Sequence, residues 1–434
     1  MLRKTCVRAV AMGVLAVAFA ATNRLDAAGF ALFEQGHKAT ALGGAFVAQA
    51  DDPSAMFYNP AGNAFNEKTT LMGGAFLVLR PTAHMDGESP YPGSDYSANN
   101  KKGPYWLGHG YAVIPLKPGS INLAGGIWSP AGLGVPWQNP DTFAGRYLSQ
   151  RADIRMLAAS VQLSAKLADW FAIGAGPELR FSDVKLSRNV GLYNPYEGRF
   201  SDVAHLSLMS EGFPVKVTWN AGILIRPCER LRFGASYHAG VDFDYEGTAE
   251  FGQIPTGHAD FDALVATRLP FGAGVPGSTT VQYPDLLMFG VSYDLTPKLT
   301  VNVDGNRTWW NVFDQTTIQI QGLPDTRIEH KWEDTWTIRA GLGYKATEAV
   351  WLGAGFVYDQ TPQPDEDAGP LLPDGNRTGV SVGGTFKLAH NFEFQVSSLF
   401  LWFHQRTILT NHDNFNATYK QFAILPGVGF KSTF

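Results

Sequence analysis

The stretch WTIRAGLGYKATEAVWLGAGFVY, residues 336–358, alternates with a period of two on either side of a short polar break. Trp336, Ile338, Ala340, Leu342 and Tyr344 share one face, and Thr337, Arg339, Gly341 and Gly343 share the other. Beyond the break, Val350, Leu352, Ala354, Phe356 and Tyr358 resume the apolar face. One apolar face opposite a small or polar one is the signature of strands, and a tight turn between two of them makes a hairpin.

Five further stretches repeat the pattern: VIPLKPGSINLAGG, SAKLADWFAIGAG, LIRPCERLRFGAS, SYDLTPKLTVNV and TFKLAHNFEFQV. Six hairpins give twelve strands, and the runs Thr69–Leu79 and Lys420–Phe434 bring the count to fourteen. Between them lie long connections near 80–105, 129–155, 182–213, 240–284, 308–333, 358–377 and 403–418. Short turns at one end, long loops at the other and strands near ten residues describe an outer-membrane barrel. Trp170, Phe171, Trp351 and Phe392 beside the turns suit an interfacial girdle. The expected fold is therefore all-β, a fourteen-stranded antiparallel transmembrane β-barrel. A secreted β-sandwich is the alternative. The last strand ends in Phe434, which resembles the C-terminal signal read by the barrel-assembly machinery, although Ser432 departs from the aromatic usual there.

The amino terminus reads as an address. Arg3, Lys4 and Arg8 precede the apolar run Ala9–Ala21, which is too short to span a bilayer, and Leu25-Asp26-Ala27 offers a small residue for cleavage. Residues 1–27 are thus expected to be a signal peptide, with the mature chain starting at Ala28. Its removal takes away four basic residues and one acid, moving the net charge from −5 to −8 and arguing against nucleic acid. It also removes Cys6, leaving Cys228 as a turn residue.

Chemistry-bearing motifs are sparse. Gly379-Val-Ser381-Val-Gly383 has nucleophile-elbow spacing but sits inside an alternating strand, where Ser381 merely takes the polar face. Gly272 to Gly277 matches a dinucleotide fingerprint by letter, yet Pro276 and the following Ser278-Thr279-Thr280 read as loop. The histidines have no metal-ligand spacing, and the acidic run 359–369 lacks a calcium-loop pattern and reads as a solvated external loop. No enzyme, metal or cofactor is expected. A lipid hydrolase would need a serine–histidine pair at the outer rim, and a general porin would have no plug and a pore lined with opposed charges.

One segment breaks the strand rule. In ADDPSAMFYNPAGNAF, residues 50–65, Asp52-Pro53 and Asn59-Pro60 both read as helix starts, a cap followed by proline at the first helical position. The stretch from Ala27 to Phe65 resembles the N-terminal plug of the FadL-type outer-membrane transporters of long-chain fatty acids and aromatic hydrocarbons. The matching pieces are Gly29-Phe30, Ala41-Leu42-Gly43, Ala50-Asp51-Asp52 and Asn59-Pro60-Ala61, and in the barrel FAGRY (143–147), WNAGIL (219–224), FGASY (233–237), VQYPDLLMFGVSY (281–293) and WTIRAGLGY (336–344).

The resemblance implies a monomer in a Gram-negative outer membrane, with a small helical hatch at 28–68 inside a barrel at 69–434. A hydrophobic ligand would be caught by external loops, pass to a pocket at the hatch and leave sideways through the wall, without an energy source. Phe30 would touch ligand, and Asn59, Pro60 and Ala61 would hold the hatch against the wall. Leu206, Leu208 and Met209, with Phe261 and Leu264 of the next loop, would form the outer groove, or else pack the loops on one another. Gly125-Gly126 with Pro130, in and after the third strand, suit a bulge or kink, which the resemblance places at the lateral opening, or else serve close packing against the hatch. Arg146, Arg151, Arg155 and Arg268 are candidate partners for a fatty-acid carboxylate, or for lipopolysaccharide phosphate and loop carboxylates. His238 stands where the family pattern has arginine. Uptake of long-chain fatty acids is the leading expectation, and uptake of monoaromatic hydrocarbons the alternative.

Overall fold

A computed structural model describes residues 29–101, 104–272 and 274–434. The expected signal peptide lies outside the described residues. Fourteen antiparallel strands close into a barrel: β1 Thr70–Gly87, β2 Tyr105–Lys117, β3 Ile121–Trp128, β4 Arg151–Ala168, β5 Phe171–Asn194, β6 Val215–Cys228, β7 Leu231–His238, β8 Leu286–Thr296, β9 Leu299–Thr308, β10 Thr335–Lys345, β11 Val350–Asp359, β12 Arg377–Ala389, β13 Phe392–Phe403 and β14 Ala417–Thr433. Each pairs with its sequence neighbour, and β14 returns to β1 from Thr70↔Thr433 to Gly87↔Ala417. Closure leaves no sheet edge, which a lipid-embedded sheet requires because hydrocarbon offers the backbone no hydrogen-bond partner.

The alternation read in the sequence sets the faces. On β4 Leu157, Val161 and Leu163 point outward and are exposed, while Ala158, Gln162 and Ser164 are buried inside. The six expected hairpin turns all occur. The long connections, expected as loops, carry eight further strands in the described residues, among them Arg199–Ser210, Val241–Gln253 and Val275–Tyr283, and the helix Ala259–Ala266. They pair with extensions of the wall: β5 continues past the membrane to match Lys185↔Met209 through Asn194↔Arg199. The segment from Gly272, read as loop, therefore passes into the strand Val275–Tyr283. The acidic run near 359–369 is likewise not simply solvated: Asp359 and Asp367 are buried, with Asp367 accepting from the Trp332 indole (2.8 Å).

The N-terminal segment packs within this wall. It contains α1 His37–Ala41, α2 Ala55–Tyr58 and a 3-10 helix Pro60–Phe65, with nearly every side chain from Gln35 to Ala64 buried. Asn59 caps the 3-10 helix by accepting from the Ala61 amide (3.2 Å) with Pro60 at its first position. α2 starts at Ala55, two residues later than the expected Pro53, and Asp52 instead accepts from the Ser54 amide (2.9 Å) and hydroxyl (2.6 Å).

Candidate functional site

Polar side chains on the inner faces of many strands hold the N-terminal segment. Asn59 Nδ2 donates both to Val47 O within the segment and to Ile223 O on β6, each at 2.9 Å. Asn59 and Pro60 can approach the wall because the paired Gly174 and Gly222 stand there; a Cβ on Gly222 would lie 2.2 Å from Asn59 Oδ1. On other strands, Ser381 Oγ accepts from the Gly43 amide (2.9 Å), Asp304 from the Val47 amide (2.8 Å), and Ser236 donates to Tyr58 O (2.7 Å). Ser381 thus tethers backbone and has no nucleophile's setting.

Phe30 is enclosed by rings. Its centroid lies 4.8 Å from Trp310, 5.3 Å from Tyr283, 5.7 Å from Phe313 and 5.8 Å from Trp332, mostly edge-to-face, the favoured aromatic geometry. Beside it the Gly29 amide donates to Asp374 (2.8 Å), whose carboxyl burial pushes above the usual range while nearby Arg377 opposes the shift. Two cavities meet at Phe30. The upper, about 90 Å³, reaches Leu186, Ile318 and Trp332, and the lower, about 60 Å³, reaches Phe33, Phe57 and Leu286.

These cavities belong to a chain of spaces. An apolar groove among the outer strands, lined by Leu208 and Met209, shares Val184, Leu186, Thr279 and Ile318 with the upper cavity. The lower cavity shares Leu32, Ala131 and Met156 with a space of about 730 Å³ that passes through the wall to Trp106, Leu157 and Phe213. The wall opens there because the β2–β3 ladder runs only from Lys117↔Ile121 to Gly110↔Ile127. After Trp128 the chain bends inward. Ser129 O accepts from Gln35 Nε2 (2.6 Å), Pro130 O from the Leu32 amide (3.0 Å), and Ala31 pairs with Ala131. The chain then returns to the wall as Gly132–Pro136 beside β4.

The expected site residues fall into distinct groups. Phe30 and the Asn59-Pro60-Ala61 turn lie at the chamber and the anchor, respectively. Leu208 and Met209 line the outer groove, whereas Leu206 is buried with Phe251, and Phe261 with Val203 and Val265, so these two pack outer strands and helix together. Leu264 is exposed. Gly125 and Gly126 pair regularly with β2 and β4, and the wall departs from its ladder only at Ser129-Pro130. Gly126 instead makes room for Tyr111 and Met56.

The arginines do not meet at the chamber. Arg146 is held by Asp202 (3.0 Å) and Tyr147 (2.9 Å), and Arg268 is exposed after the outer helix. Arg151 and Arg155 share the outward parity of Leu157, so β4 turns them away from the lumen. The residue missed is Arg180, which lines the lower cavity with its Nε bound to Glu178 (2.6 Å). Its position was readable, since Leu179 and Phe181 beside it are apolar and belong to lipid. His238 also lines that cavity, donating from Nε2 to Phe57 O (2.8 Å). Among the described residues no group of three His, Cys, Asp or Glu is gathered for a metal.

A family model described as outer membrane protein transport protein (OMPP1/FadL/TodX) matches residues 17–434. Long-chain fatty acid transport proteins of Salmonella typhi and Escherichia coli K12 are 24% and 23% identical over the whole of both chains. Among solved structures, a Pseudomonas aeruginosa FadL homologue superimposes with a TM-score of 0.83 at 20% identity, covering 94% of this chain and 100% of that one. The Pseudomonas putida toluene transporter TodX does so at 0.69 and 17%, covering 95% and 99%.

Proposed function

The chain belongs to the OMPP1/FadL/TodX family of outer-membrane transport proteins, and from that premise we propose that it admits neutral, ring-sized hydrophobic compounds of the monoaromatic kind. At the coarser level it is a channel for hydrophobic small molecules in a Gram-negative outer membrane, and it is not an enzyme.

The observation that carries the substrate reading is the aromatic box around Phe30. A ring that displaces Phe30 inherits edge-to-face partners worth about 0.5–1.5 kcal/mol each beyond area burial. The cation on the chamber lining, Arg180, is already neutralised by Glu178, and position 238 carries an imidazole bonded to backbone. A carboxylate entering there would leave a net buried charge, which is costly. A neutral ring leaves none. In this reading residues 29–68 act as a hatch. Ligand passes from the outer groove to the box, moves Phe30, and leaves by the wall opening at Ser129-Pro130 into the membrane. Burial of apolar area, about 25 cal/mol per Å², drives the transfer out of water.

One observation favours a second reading. The terminal nitrogens of Arg180 make no hydrogen bond among the described residues, so an acid could reach them, and the curated relatives named above are long-chain fatty acid transport proteins. The test is uptake of labelled toluene and oleate in a strain lacking its own such transporters. Toluene entry that survives Arg180→Met is the expected result. Oleate entry alone, lost in Arg180→Met, would replace the monoaromatic reading by the fatty-acid one, and equal flux of small sugars would sink both.

A further inference from the structure

The outer mouth of the wall opening carries charge that the transport route does not use. Arg151, Asp153 and Arg155 lie on the outward parity of β4, with Ser187, Lys185 and Asp183 opposite them on β5. Arg151, Arg155 and Lys185 all border the opening, above an apolar floor of Trp106, Leu157, Phe181 and Phe213. On both strands the outward face changes from charged to apolar at one level, between Arg155 and Leu157 on β4 and between Asp183 and Phe181 on β5. That level is where the hydrocarbon band ends at the long-loop side. Headgroups of the outer leaflet lie there.

The ion pairs at this level are arranged for a third party. The carboxylates of Asp183 and Asp153 are only 6% and 15% exposed, while the guanidinium side chains of Arg155 and Arg151 are 64% and 57% exposed. Each acid sits behind its arginine and fixes it. Asp183 takes Nε (2.9 Å) and Nη2 of Arg155, and Phe213 lies under the guanidinium at 5.8 Å, leaving Nη1 without a hydrogen bond among the described residues. A guanidinium held in this way loses little freedom on meeting a phosphate, for which its donors are matched. Three cations against two carboxylates leave the mouth positive.

We infer that the outer mouth of the wall opening binds one phosphorylated acyl lipid, the lipid A of the outer leaflet, with phosphate on Arg151, Arg155 and Lys185 and an acyl chain along Trp106, Leu157 and Phe213. The outer end of the barrel selects this lipid over a glycerophospholipid, because lipid A builds the outer leaflet of a Gram-negative outer membrane. The bound chain would face departing ligand with hydrocarbon rather than water. The inference rests on where the opening meets the membrane, and not on which compound passes through it.

Native mass spectrometry of the full barrel in detergent tests it without any transport readout. Bisphosphorylated lipid A should bind as a single molecule, and Arg151→Gln/Arg155→Gln/Lys185→Gln should weaken it roughly tenfold or more, as loss of charged hydrogen bonds implies. Arg199→Gln/Arg268→Gln, exposed elsewhere on the outer loops, should bind like the parent, and monophosphorylated lipid A should bind more weakly. Unchanged binding by the triple variant overturns the proposal. So does equal binding of phosphatidylglycerol, or displacement of lipid A by inorganic phosphate. Should the triple variant fail to assemble, Arg155→Gln alone is read in the same way.

Discussion

At the scale of single residues, contact distances decide what can move. Gly222 is required because Asn59 presses on it, and an added Cβ would sit 2.2 Å from a side-chain oxygen. Gly222→Ala should therefore detach the Asn59 turn from β6, at the ~1–3 kcal/mol typical of overpacking. Faster protease cleavage within residues 29–68 of an otherwise heat-resistant barrel would record it; unchanged cleavage would mean that the turn does not anchor the segment. Phe30→Ala removes the ring that four aromatics enclose. In the proposed route it empties the box without touching its walls, so toluene uptake should persist or rise while its saturation weakens. Loss of uptake would assign Phe30 to binding rather than to closure.

At the scale of elements, the decisive feature is a strand that stops pairing. β3 ends where Ser129 and Pro130 are claimed by Gln35 and Leu32, so the N-terminal segment and the wall share one junction. In the proposed route, movement of residues 30–35 would therefore bear on the opening through the hydrogen bonds to Ser129 O and Pro130 O. Ala131 stands at the throat, lining both the lower cavity and the opening. Ala131→Phe should fill that throat. Uptake should fall on the order of tenfold or more while the outer groove still takes up ligand, at a packing cost of ~1–3 kcal/mol to the barrel. Uptake rates together with ligand-induced fluorescence quenching of the box tryptophans check this, and a variant that transports normally would place the exit elsewhere.

At the scale of the whole molecule, the barrel and its contents are separable. The β1–β14 ladder closes the wall without help from residues 29–68, which meet it through side-chain tethers and, at Phe30–Leu32, a short backbone pairing with Pro130–Gly132. Deletion of 29–66 should leave a heat-resistant barrel and open its polar lumen to small solutes, measured as conductance in a planar bilayer. A chain that no longer assembles would show the segment to be part of the folding core. Charge is distributed on the same scale: inside the wall Arg180 is bonded to Glu178, and Asp304 and Arg339 to backbone, while Arg151 and Arg155 stand exposed at the outer rim of the opening.

The sequence by itself determined the fourteen strands, their turns and which face of each strand is apolar, because alternation is local and every turn announces itself within a few residues. It also marked Asn59-Pro60 as a cap, but it left Arg155 a candidate carboxylate partner until the strand register set it toward lipid and Arg180 toward the lumen. What only the tertiary structure decided is the site. The box around Phe30 joins residues 30, 283, 310, 313 and 332, and the opening joins 106, 131, 157 and 213. Gly125-Gly126 with Pro130 suited a kink, but Gly126 is taken up by close packing against Tyr111 and Met56. The break lies at Ser129-Pro130, where the N-terminal segment takes the backbone hydrogen bonds that a neighbouring strand would otherwise hold. That choice depends on chain segments about a hundred residues apart competing for the same carbonyls, and no local pattern encodes it.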